Sequence, residues 1–282
     1  MGAATAVGAE RSAAAWYPTV DILRAFAAAV LWTLLPALAV AVAAACAVGG
    51  GDARVARTRS EDVAILPPSP RGLHPGEAMT YAVSVGGIEV AEATLAVGHP
   101  GERDGLRAMR VTSTAVATGV VRAVRDVRVR LDTVVDADTG LPLEAAVELV
   151  WGDDRESLDV ALHDPRVALH SPHTAMAAVR AWDGAPGDRR RLYLVGAELI
   201  VRADLTWIGG EVIGTHLGNR AAVRVDGVGQ LVDIDLVPRP GPAWRIVRFS
   251  VWMSDDADRV PLWVTARAGA ATARFELLDD RR

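Results

Sequence analysis

Val124–Asp136 reads VRDVRVRLDTVVD, and its alternation decides the fold class. Val127, Val129 and Leu131 fall on one side of an extended chain, with arginine and aspartate on the other. A period of two is the mark of a half-buried strand. The same texture continues in both directions. Upstream, AMTYAVSVGGIEVAEATLAVG (Ala78–Gly98) holds two β-rich runs around Gly86-Gly87, the signature of a tight hairpin. LRAMRVTSTAV follows. Downstream come LEAAVELVW, ESLDVALHD, RLYLVGAELIVRADLTWIGGEVI, RAAVRVDGVGQLVDIDLVP, AWRIVRFSVWMS and PLWVTARAGAATARFELL. About a dozen short strands with regular turn signals predict a mainly β fold: a strongly curved antiparallel sheet, open and barrel-like, or a sandwich. One short helix is expected over Pro172–Trp182, where proline suits the first turn and apolar residues recur at helical spacing.

The totals exclude several classes. The 282 residues carry a net charge of −5 and a sequence pI near 5.7, which leaves no basic footprint for nucleic acid. Every basic residue is arginine. Cys46 is the single cysteine, so neither an intrachain disulfide nor a multi-cysteine zinc site can form. No Gly-rich phosphate loop opens a helix after a strand, so nucleotide binding is not expected, nor is any cofactor.

Ala25–Gly51 is uncharged and longer than the about 20 residues that a membrane-crossing helix needs. The segment is membrane-directed. Ala43-Ala44-Ala45-Cys46 resembles a lipobox, with Cys46 as the lipidated residue; the same small residues fit ordinary signal cleavage, and an uncleaved anchor is the third reading. The expected organisation is a leader over 1–24, consistent with a start codon assigned too early, then a signal or anchor helix over 25–48, a tether over 49–72 and a β-rich, periplasm-facing domain over 73–280.

The densest charged stretch, SDDADRVPLWV (Ser254–Val264), has a counterpart in DADTGLPLEAAV (Asp136–Val147). Both run Asp-Ala-Asp, a few turn residues, then Pro-Leu and a strand. Aspartates bond back to nearby backbone N–H groups, and proline at the first residue of a strand removes no ladder bond. Asp136, Asp138 and Pro142, with Ser254, Asp255, Asp256, Arg259 and Pro261, therefore read as hairpin-turn signatures. A calcium loop lacks its glycine and closing glutamate, and Asp255 and Asp256 point to opposite faces unless the turn re-aims them. His163, His170 and His173 match no zinc spacing, and Ser250 and Ser254 lack a nucleophile elbow. No catalytic or metal-binding residue is assigned. Trp207, Trp244, Trp252 and Trp263 fall in strand-like segments; they read as core and rim packing or as the hydrophobic surface of a ligand groove.

GEAMTYAVSVGGIEVAEATLAV, VDADTGLPLEA, VIGTHLGNRAAVRVDG and VWMSDDADRVPLWVTARAGAATARFELL, taken in order, resemble the exported bacterial proteins of the domain-of-unknown-function family numbered 3108. The similarity covers about Pro75–Leu278. It implies a periplasm-facing, mostly β domain behind a signal peptide or lipid anchor, with no catalytic residues to transfer. By analogy with the half-barrels of outer-membrane lipoprotein carriers, the expected function is a non-enzymatic cell-envelope protein. Its curved sheet binds a lipid-like ligand or an envelope partner, and the membrane is met through the N-terminal segment. The alternatives are a structural or assembly factor docking on another envelope protein, and a hydrolase using Asp255, Asp256 and Asp258 or the histidines.

Overall fold

The computed structural model describes residues 63–160, 162, 167–196, 199–233, 235–239 and 246–281. Cys46, the apolar run Ala25–Gly51, His163 and Trp244 lie outside the described residues. Among those described, no helix is long and apolar enough to cross a membrane.

The alternating stretch forms strand β5, Val127–Asp136, with Val127, Val129 and Leu131 buried and Arg128 and Arg130 exposed. Its first residue does not join the strand. Val124 instead ends α1, Gly119–Val124, a six-residue helix that the sequence reading missed. Around β5 run β1 (Ala78–Val85), β2 (Ile88–Val97), β3 (Gly101–Arg103), β4 (Leu106–Ala117), β6 (Pro142–Trp151), β7 (Asp154–Asp159) and β8 (Leu169–His170). Helix α2 (Pro172–Arg180) follows, then β9 (Arg189–Gly196), β10 (Leu199–Thr215), β11 (Gly218–Val232), β12 (Ile246–Ser254), β13 (Pro261–Ala268) and β14 (Ala271–Arg281). The β1–β2 turn is Gly86-Gly87, both at positive φ (59° and 85°), as a primed two-residue turn requires.

All these strands belong to one fourteen-stranded sheet in the order β7-β6-β5-β4-β2-β1-β14-β13-β12-β11-β10-β9-β8, with β3 paired to β4. Every pairing is antiparallel except that of β8 with β9. The sheet is open, its ends being β7 and β8. Side chains nevertheless meet across the opening: Leu131, Ala145 and Val147 pack with Leu169, Tyr193 and Val195 in one buried cluster. The sheet is therefore curved almost onto itself.

Helix α2 occupies the hollow of that curve. All nine of its residues are buried, and Ala175–Val179 pack with inward side chains from both halves of the sheet, including Val83, Val129, Leu205, Phe249 and Phe275. A helix buried all round is a core element, not an amphipathic surface element. Ser171 caps it, its Oγ accepting from Thr174 N–H at 3.3 Å. The described part of the expected tether also enters the body of the fold. Leu66 is buried and its N–H donates to Arg191 O at 2.7 Å; the 3₁₀ turn Pro70–Gly72 presses on α2 so closely that a Cβ on Gly72 would collide with the Ala177 backbone. A segment read as a linker for its prolines thus closes one side of the core.

Candidate functional site

The two acidic stretches form turns built alike. In the β5–β6 turn, Asp136 Oδ1 accepts the N–H groups of Asp138 (2.9 Å) and Thr139 (2.8 Å), and these bonds hold its carboxyl below the usual carboxylate range. Asp138 accepts from Arg107 at 3.1 Å, and Pro142 opens β6. In the β12–β13 turn, Asp256 Oδ1 accepts from Ser254 Oγ (2.7 Å) and from the N–H groups of Asp258 (3.0 Å) and Arg259 (3.1 Å). Ser254 Oγ in turn accepts from Val260 N–H at 2.8 Å, and Pro261 opens β13. Asp255 lies 3.6 Å from Arg259.

The second turn has a further partner. Asp258 O accepts from Arg180 Nη2 (2.8 Å) and Nε (3.2 Å), while the same guanidinium grips Glu77 through two bonds of 2.7 and 2.8 Å. Arg180 and Glu77 side chains are 2% and 0% exposed. A charge pair this deep is tolerated only because geometry and extra hydrogen bonds satisfy it. Outside it lies a pocket of about 340 Å³ lined by Arg71, Arg180, Asp183, Asp255, Asp256 and Arg259. Its arginines and carboxylates are matched in number, and Asp256 Oδ1 is saturated by donors.

At the other end of α2, His173 sits between Ser113 Oγ on β4 (2.5 Å from Nε2) and Thr133 Oγ1 on β5 (2.8 Å from Nδ1). Burial lowers its pKa to about 3, so the ring is neutral, donating through one nitrogen and accepting through the other. A serine–imidazole pair suggests nucleophilic catalysis, but Ser113 and His173 are sealed in the core, where no substrate meets them. His170 has a separate partner, Leu66 O at 3.1 Å, and burial lowers its pKa too. His173 thus has a core role that its sequence neighbourhood does not show, because its hydroxyl partners arrive from strands distant in sequence.

The tryptophans divide between the faces of the sheet. Trp207 is 3% exposed and packs edge-on against Trp182 at 5.3 Å in the core. Trp252 and Trp263 stand on the outer face, half-buried. The ladder registers place there three level rows across β11, β12, β13 and β14: Arg224–Trp252–Trp263–Glu276, Asp226–Ser250–Thr265–Arg274 and Val228–Arg248–Arg267–Thr272. The two indoles lie 5.3 Å apart, with Arg224 over Trp252 at 5.0 Å and Arg274 over Trp263 at 3.8 Å. The four side chains make a continuous cation–π stack. The sequence reading noticed the tryptophans but not the arginines between them. The signal was the outward phase of ARFEL and VRVDG, legible only once the strand register is known.

The model of the family described as "Protein of unknown function (DUF3108)" matches residues 80–173. The match covers about a third of the chain, and over that stretch the resemblance to DUF3108 is borne out; the β12–β13 turn lies outside it. No curated protein is similar to the chain. Among solved structures, a protein of YmcC-like fold from Bacteroides fragilis is 9% identical (74% of this chain, 97% of that one, TM-score 0.39). A β-barrel-like protein of the domain-of-unknown-function family DUF1849 from Brucella abortus is 10% identical (77% and 98%, TM-score 0.37). The hypothetical lipoprotein YmcC from Escherichia coli is 11% identical (73% and 85%, TM-score 0.33). At TM-scores below 0.5 nothing about this chain's function follows from them.

Proposed function

We propose that this chain is a non-catalytic cell-envelope protein that docks a protein partner on the outer face of β11–β14. It is held at the membrane by its N-terminal segment, through a lipid on Cys46 or through the retained apolar run Ala25–Gly51. The observation that carries this reading is the three-row Arg/Trp grid. Tryptophan and arginine are the side chains that most often dominate protein–protein binding energy. Ser250 and Thr265 form a small, flat middle to the grid, where a partner can approach closely. Four arginines against two carboxylates give the grid a net charge of +2, on a protein whose total is −5. The acyl-chain reading loses support from α2, which takes up the hollow that a curved sheet would offer a lipid.

A photoreactive amino acid at Thr265 of the full-length protein in its native cells tests the reading. The expected result is one discrete protein adduct, lost when Arg248→Glu and Arg267→Glu reverse the charge of the grid. Adducts with lipid alone would overturn protein docking in favour of a hydrophobic ligand, and no adduct at all would overturn docking on this face.

A further inference from the structure

The long hairpin β10–β11 does not stop where its neighbours stop. β12 ends at the level of Ala222, whereas the hairpin continues to its tip at His216-Leu217. At the root of this extension the ladder register slips between Trp207 and Gly209, and Gly209 takes φ +126°, a backbone state open to glycine and hardly to other residues. Beyond this hinge the ribbon crosses the outer face. Glu211 Oε1 accepts from Trp252 Nε1 at 2.6 Å, and the His216 N–H donates to Glu276 Oε1 at 2.7 Å, on a strand three places from β11 in the sheet. Ile208 just before the hinge and Val212 on the ribbon are exposed, Val212 by 71%, whereas Ile213 is buried, so one face of the ribbon turns to solvent.

The grid beside the ribbon has unfilled hydrogen-bonding capacity. Trp263 Nε1 and Arg274 Nε are buried and make no hydrogen bond among the described residues, although Arg274 lies directly over the Trp263 ring and its Nη2 donates to Glu276 at 2.7 Å. Buried donors seek an acceptor. Its neighbour Trp252 shows which kind suits this face: a carboxylate, supplied by the chain itself. The four grid arginines favour the same chemistry.

We propose that the Gly209-hinged ribbon is a latch over the tryptophan stack, and that an acidic segment of a partner protein displaces it. In the displaced state a partner carboxylate replaces Glu211 on Trp252, and a second acceptor meets Trp263 Nε1 and Arg274 Nε. This rests on the docking reading above and adds the partner's chemistry and its regulation. A latch that is closed most of the time weakens apparent affinity by the fraction of open molecules. One net hydrogen bond of latch stability corresponds to about a fivefold change in binding.

The test uses the full-length chain with a fluorescein-labelled deca-glutamate peptide as probe, read by anisotropy at low salt. Glu211→Ala is expected to bind about fivefold more tightly than wild type. Glu211→Gln, which removes the charge but keeps an acceptor for Trp252, is expected to stay near wild type. Amide exchange over residues 210–220 should quicken when peptide binds. If Glu211→Gln gains as much as Glu211→Ala, charge alone is responsible and the latch is overturned. The latch is also overturned, with docking intact, if exchange is unchanged by peptide while Arg248→Glu/Arg267→Glu abolishes binding. Binding that survives this charge reversal removes the docking face itself.

Discussion

At its first turn α2 is fastened by a neutral imidazole between two hydroxyls, and at its last turn by a guanidinium on a buried carboxylate. Both fastenings are out of water and both are fully hydrogen-bonded, yet they respond to different insults. The His173 fastening is itself uncharged, so losing one partner costs a modest bond, while acquiring a proton is costly despite the Asp132 carboxylate nearby. The Arg180 end holds two charges that tolerate each other only as a pair. One end is sensitive to acid, the other to mutation.

The largest expected effect breaks the charged end. Glu77→Ala leaves Arg180 buried and uncompensated, and should destabilise the fold by about 3–5 kcal/mol in urea denaturation. The double change Glu77→Leu with Arg180→Met should recover a large part of that loss, since a packed apolar pair removes both desolvation costs. If the double variant is as unstable as the single one, the Asp258 carbonyl that Arg180 also serves carries the energy instead.

The second effect titrates the neutral end. Burial holds the folded pKa of His173 at about 3, below the ordinary 6.5, so between these values the unfolded chain binds a proton that the folded chain refuses. Stability is therefore complete above about pH 6.5 and falls as pH drops toward 3, with a loss of about 2 kcal/mol by pH 5. His170, depressed in the same direction, adds to this slope. Denaturation midpoints at pH 7.5 and 5.0 measure it, and His173→Asn should flatten it.

The smallest effect separates the two acidic turns. Asp256→Ala frees three donors and loosens the turn that offers its carbonyl to Arg180, which should cost about 1–2 kcal/mol. Asp136→Ala frees two backbone N–H groups in a turn without such a tie, and should cost under about 1 kcal/mol. Equal shifts in thermal midpoint would mean that the link to α2 adds nothing.

Much of the sheet was legible because its information is local. Val127, Val129 and Leu131 announce their strand by phase alone, and Gly86-Gly87 can do little other than turn. Asp136 and Asp256 find their main partners within three residues, so the sequence motif and the turn are nearly the same object. The rest depends on distant arrivals. The role of His173 emerges only when Ser113 and Thr133 reach it, and that of Arg180 only when Glu77 does. Ile65–Gly72 has a linker's composition but fills a side of the core. The outer grid is hidden for a different reason. Pairing Arg224 with Trp252, and Trp252 with Trp263, requires the ladder register, and slips such as the one between Trp252 and Met253 move a strand by a residue without leaving a clear mark in composition.

The central place of β1 has a consequence for how the chain reaches this form. β1 lies between β2 and β14, and Ala78 faces Arg281 across that seam. The early strands can zip together by hairpins as they emerge, as can the late ones, but the join between these halves waits for β14, which follows all the other described strands. Until then both halves present a raw edge, and closing so wide a loop is slow. Removing β14 should thus trap an aggregation-prone half-sheet, with α2 lacking a complete wall to fold against.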